Sequence, residues 1–131
     1  PGASPGQGPV IRLGDKATLF DANATALLDE AAEGLRARDV KVQRLRLTGG
    51  TCEATAYLSF GYEAGGVAVP LVNYHNGWGA ESIQPERVRV SDVEGAVDLL
   101  EAAGKLFSGK TMRGALRRRL AQRHKASVKR L

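Results

Sequence analysis

Gly66-Val67-Ala68-Val69-Pro70-Leu71-Val72-Asn73-Tyr74-His75-Asn76 is the stretch whose reading decides the fold of this 131-residue chain. Residues 67–72 form a continuous apolar run, the pattern of a strand buried on both faces in a helix-covered parallel sheet. Pro70 is uncomfortable in a central strand, because it has no N–H for a ladder, and argues for an edge or a strand end. The run stops at Asn73. Residues 73–85 then read as a long irregular loop of Asn and Gly that also carries His75 and Trp78.

Upstream, Gly65-Gly66 breaks a helix with Ala54, Tyr57, Leu58 and Gly61 on one face. That helix follows the turn Thr48-Gly49-Gly50-Thr51. Val40 to Leu47 is strand-like, but its alternation slips after Val42, which suggests a bulge or a strand buried on both faces. Asp21 or Asn23 can cap an earlier helix with Leu27, Leu28, Ala31, Ala32 and Leu35 at helical spacing, ended by Arg38-Asp39. Val10-Ile11-Arg12-Leu13 reads as a short strand closed by Gly14-Asp15.

Downstream, Arg87 to Val90 alternates like a short strand. Ser91-Asp92-Val93-Glu94 has the spacing of a capping box, opening a helix with Val93, Val97, Leu100 and Ala103 at helical intervals. Thr111 is placed to cap a last helix with Met112, Leu116 and Leu120 as a narrow apolar stripe. Strands separated by helices predict an α/β fold in layers: a three-layer sandwich with a mostly parallel sheet and helices on both faces.

A content of 43% apolar and 25% charged residues is ordinary for a globular domain. No apolar run is long enough to cross a bilayer, and no signal peptide opens the sequence. The single Cys52 excludes an internal disulfide and fits a reducing cytoplasm. The chain opens at Pro1 in a Pro/Gly-rich stretch to Pro9, which reads as a loop entered from a preceding segment. Its net charge of +5 is unevenly placed. Nine of the 19 Lys and Arg lie in 110–131, which has no acidic residue; the other ten face all 14 Asp and Glu, so 1–109 carries −4. The division expected is therefore a domain over 1–109 and a basic helical tail over 110–131.

If strands 40–47 and 67–72 are parallel neighbours, both end on the same sheet edge, where open α/β sheets bind ligands. The loops Thr48–Thr51 and Asn73–Asn76 would then share one crevice, with Glu53 at the start of the intervening helix facing it. Glycines let backbone N–H groups approach a ligand, and imidazole and carboxylate suit zinc, cobalt or manganese. Blander readings stand beside these. A Gly-Gly turn before a helix is usually only a turn, a loop histidine is usually solvated, and Glu53 is well placed at a helix dipole.

The segment Thr48-Gly49-Gly50-Thr51-Cys52-Glu53-Ala54, a helix, and then Gly66 to Asn76 resembles the end of the catalytic domain of dinuclear-metal exopeptidases, namely the tetrahedral and glutamyl aminopeptidases. The likeness covers about residues 9–107, and the His-bearing strand end is its most specific part. It implies that His75 is a metal ligand and that Gly50 and Thr51 belong to a helix-opening Gly-Gly-Thr motif. Cys52-Glu53 departs from the Asp-Ala usual there, so a supporting or substrate-contacting role suits Glu53 better than ligation. Tyr74, Asn76 and Trp78 would line the substrate side, although a merely packed or exposed loop residue is an equal reading. The family's upstream His, bridging Asp, Glu-Glu pair and further carboxylate have no match in this sequence.

The resemblance therefore implies peptide hydrolysis by a water activated on two divalent ions, most simply zinc, with cobalt or manganese possible. It implies a peptide substrate, a homo-oligomer and a missing N-terminal part, without which the chain would be inactive. The alternative is a noncatalytic α/β module whose basic helix in 110–131 binds nucleic acid or another polyanion. The absence of aromatic residues from 108–131 weakens an RNA-binding version of it.

Overall fold

The computed structural model describes residues 2–78, 82–109 and 114–128. Strand β1 (Val10–Arg12) leads through a turn into helix α1 (Ala22–Arg36), followed by β2 (Gln43–Leu45) and helix α2 (Glu53–Ser59). Strands β3 (Gly66–Ala68) and β4 (Leu71–Val72) come next, then a 3-10 turn at Tyr74–Asn76 and strands β5 (Gly77–Trp78), β6 (Ser82–Ile83) and β7 (Arg87–Val88). Helices α3 (Val90–Gly109) and α4 (Ala115–Val128) close the chain.

Helix α1 begins where the sequence places it. The Asp21 carboxylate accepts from Ala24 N at 2.8 Å, satisfying one of the orphan donors of the first turn. Its inward face is Leu28, Ala31, Ala32 and Leu35, packed with Ile11 of β1 and Leu99 and Ala103 of α3. Ile11 and Leu99 are fully buried, each worth roughly 1.5–3 kcal/mol of apolar transfer.

The sheet departs from the expected one. β1 lies between β2 and β3, parallel to β2 and antiparallel to β3, so strands 2 and 3 are neither neighbours nor parallel. The reason is the connection. A parallel return needs an element that runs back along the strand, and α2 has seven residues, about 10 Å. Its chain re-enters the sheet from the end that β2 left. The apolar run 67–72 is also divided, because Pro70 interrupts the ladder: β3 pairs with β1, and β4 pairs antiparallel with β7. Among the described residues the pairing is mixed, with one parallel pair. Helices α1 and α3 cover the Ile11 face, while Arg12, pointing the other way by strand alternation, lines an open cavity.

Helix α3 differs in two respects. It starts at Val90, one residue before the expected Ser91 cap, so the capping box does not form. Asp92 instead accepts from Gly6 N and Gly8 N. Its buried face is Ala96, Leu99 and Ala103, whereas Val93, Val97 and Leu100 are 40%, 60% and 56% exposed. Two apolar stripes compete on this helix. The alanine-bearing one faces α1, because small side chains allow the helices to approach closely.

Helix α4 lies against α1. Arg119 meets Glu33 at 3.0 Å and Asp29 at 3.6 Å, and Arg118 meets Glu30 at 3.6 Å. Leu116 and Leu120, expected as an apolar stripe, remain 37% and 57% exposed at the wall of a 370 Å³ cavity. Thr111 and Met112 lie outside the described residues.

Candidate functional site

Asp15 organises the first candidate loop. Its side chain is fully buried, accepting from Ala17 N and Thr18 N at 2.8 Å, from Cys52 N at 3.0 Å and from the Thr55 hydroxyl. The Thr55 hydrogen bond, with those from Thr18, Cys52 and Ala17, holds its carboxyl well below the usual carboxylate range against the opposing effect of burial. Lys16 N donates to Gly50 O at 3.0 Å, so the Gly49-Gly50 turn is bound to the 14–18 loop. Cys52 caps α2 without a side-chain bond, and Glu53 is its exposed first residue, placed favourably at the helix dipole.

The second loop follows β4. Asn73, His75 and Asn76 all have left-handed backbone, with φ of 61°, 58° and 59°. Each such non-glycine residue costs on the order of 1 kcal/mol or more and persists only where surrounding bonds hold it. They do here. Asn73 is buried and its amide donates to Pro85 O at 2.8 Å, while His75 N donates to the Glu86 carboxylate at 2.7 Å. The His75 ring is exposed and stacks on Tyr74 with centroids 4.0 Å apart. The Trp78 side chain lies outside the described residues.

A cavity of about 650 Å³ joins the two loops. Gly50, Thr51 and Tyr74 line it, together with Pro70, Arg12 and Arg46; Glu53, His75 and Asn76 are not on its wall. The loops therefore share a cavity across a sheet face, and not through the parallel sheet edge expected from the strands. Arg12 and Arg46 were not singled out by the sequence reading. The usable signal was a charged residue inside the otherwise apolar Val10-Ile11-Arg12-Leu13. The Arg12 guanidinium lies 5.4 Å from the centre of the Phe20 ring, and its Nε is buried without a hydrogen-bond partner. Arg46 donates to Asp15 O at 3.2 and 3.3 Å.

Among the described residues no group of three or more His, Cys, Asp and Glu could hold a metal ion. His75 is an accessible imidazole donor, but the described residues do not complete a site around it. No described helix is long and apolar enough to cross a membrane.

No protein-family model matches the chain, and no curated protein does. Its fold resembles part of the fold of solved peptidases. One solved neighbour is PhTET1-12s, a tetrahedral aminopeptidase seen as a dodecamer, with TM-score 0.59 and 22% identity over 78% of this chain. Another is described as "a putative peptidase/endoglucanase", with TM-score 0.54 and 25% identity over 77% of this chain. This chain spans 28% and 27% of the lengths of those two.

Proposed function

We propose that this chain is the closing part of the catalytic fold of a metal-dependent exopeptidase, with His75 as one ligand of one divalent ion. The observation that carries the reading is the fold match over 78% of the chain; beside it, an accessible histidine stands on constrained backbone just after a strand. In a complete enzyme two ions, zinc in the first place and otherwise cobalt or manganese, would polarise the scissile carbonyl and activate the attacking water. Gly50, Thr51 and Tyr74 would lie on the substrate side, with Glu53 and Asn76 as supporting residues. The described residues offer no complete metal site, whereas catalytic zinc sites use about three protein groups, so the chain is expected to be inactive by itself.

The outward apolar residues of α3 support the same reading. Val93, Val97, Leu100 and Phe107 form a stripe that the remainder of such a fold, or a homo-oligomeric assembly, would cover. The deciding experiment replaces His75 by Ala in a chain that also carries the remaining ligands. Peptide hydrolysis should fall at least about a hundredfold and bound metal should drop by about one ion per subunit. Undiminished activity and metal content would remove His75 from the site.

A further inference from the structure

The 650 Å³ cavity between the 46–51 loop and the 68–74 segment contains two arginines and, among the described residues, no carboxylate to match them. Arg46 is held by the neutral carbonyl of Asp15, and Arg12 faces the Phe20 ring with its Nε buried and without an acceptor. Among the described residues neither takes part in an ion pair, unlike Arg44, Arg118 and Arg119, each of which meets a carboxylate. The half-buried Arg12 guanidinium attracts an anion more strongly than a solvated one, because less water screens it, and the exposed Arg46 adds a second charge at the same cavity. The forked donors of a guanidinium match the two oxygens of a carboxylate.

The rest of the wall sets the size and character of the guest. Gly49 and Gly50 have open space where a side chain would stand, leaving their backbone approachable. Val69, Pro70, Leu71 and Tyr74, which also line the cavity, present apolar surface for an aliphatic stem. A volume of this size accommodates one or two amino-acid residues.

We infer that this cavity binds the carboxylate of a small peptide, clamped by Arg12 and Arg46 with its aliphatic part against Pro70 and Tyr74. The choice of a peptide rests on the exopeptidase reading; the choice of a carboxylate rests on the cavity itself. The carboxylate has two possible sources, an acidic side chain or a free C-terminus. Four probes separate them: N-acetyl-glutamate amide with N-acetyl-glutamine amide as its neutral partner, and N-acetyl-alanyl-leucine with its C-terminal amide.

Titration of the 131-residue chain at low salt and pH 7, followed by amide chemical shifts, should show one acid binding at least tenfold tighter than its neutral partner. Shifts should centre on Gly49, Gly50 and Tyr74. Arg12→Gln and Arg46→Gln should each weaken that binding about tenfold, and the lysine variants should restore part of it. Should Arg12→Gln unfold through loss of its contact with Phe20, the more exposed Arg46→Gln decides the matter. Equal binding of acid and amide overturns the inference, as does inorganic phosphate binding as tightly as the acid, or unchanged affinity in a folded Arg46→Gln. The assay needs neither metal nor hydrolysis. A failure here leaves the role of His75 standing, and a failure of His75 in the metal assay leaves the carboxylate site standing.

Discussion

The Asp92 carboxylate accepts a hydrogen bond from Gly8 N at 2.9 Å, joining two residues 84 positions apart. Its second oxygen takes Gly6 N at 2.7 Å, so the first turn of α3 grips the opening segment at two successive points. Gly8 has φ of +81°, and a Cβ there would lie 1.9 Å from the Lys41 carbonyl oxygen. Both the backbone angle and the space require glycine.

Gly8→Ala is therefore expected to destabilise the chain by at least about 2 kcal/mol. Asp92→Ala should free the opening segment and expose its amides to exchange. Urea denaturation measures the first and hydrogen exchange at residues 6–8 the second. Unchanged protection at those amides in Asp92→Ala would refute the grip.

Asp15 predicts an acid-sensitive fold. Its folded pKa lies below the ordinary carboxyl value of about 3.9, so its ionised form stabilises the fold fully above that value. The contribution is lost as pH falls through the carboxylate range toward the folded pKa. Asp15→Asn should melt at lower temperature than the parent at pH 7. Between about pH 5 and pH 2 the parent should lose more stability than the variant, which lacks this titrating group. Parallel acid dependence in the two proteins would contradict it.

Docking of α4 rests on charge more than on apolar contact. The Asp29 side chain, 4% exposed, takes Arg44 at 3.2 Å and Arg119 at 3.6 Å. Asp29→Asn should cost about 2 kcal/mol, because two guanidinium groups lose their common partner. High salt should raise hydrogen exchange in α4 before it does so in α1. The same pairs bear on the basic tail: Arg118 and Arg119 are engaged with α1, which leaves fewer cations for a polyanion.

Adjacent leucines test which face of α3 is internal. Leu99 is fully buried and Leu100 is 56% exposed. Leu99→Ala should cost about 2–5 kcal/mol, and Leu100→Ala less than about 1 kcal/mol. Similar losses in the two variants would mean that the exposed stripe is covered in solution.

Local signals were readable where one residue's chemistry acts on its near neighbours. Asp21 as a cap, the 27–35 spacing of α1, the break at Pro70 and the turn at Gly49-Gly50 are of this kind. The resemblance of the chain to an exopeptidase agrees with the fold of the solved neighbours. The direction of β3 was not readable, because apolar runs look the same in parallel and antiparallel pairs, and the short α2 decided between them. Nor was the inward face of α3, which has two apolar stripes and is turned by its packing on α1.

The decisive stretch, Gly66 to Asn76, shows the same division. By itself the sequence determined that an apolar segment ends in a polar loop bearing His75, since hydropathy and Pro70 act locally. Only the tertiary structure divided that segment between two sheets and brought Tyr74, Gly50, Arg12 and Arg46 to the lining of one cavity. Those relations join residues tens of positions apart, and they arise from how the strands pair and the helices pack. No pattern along the chain records them.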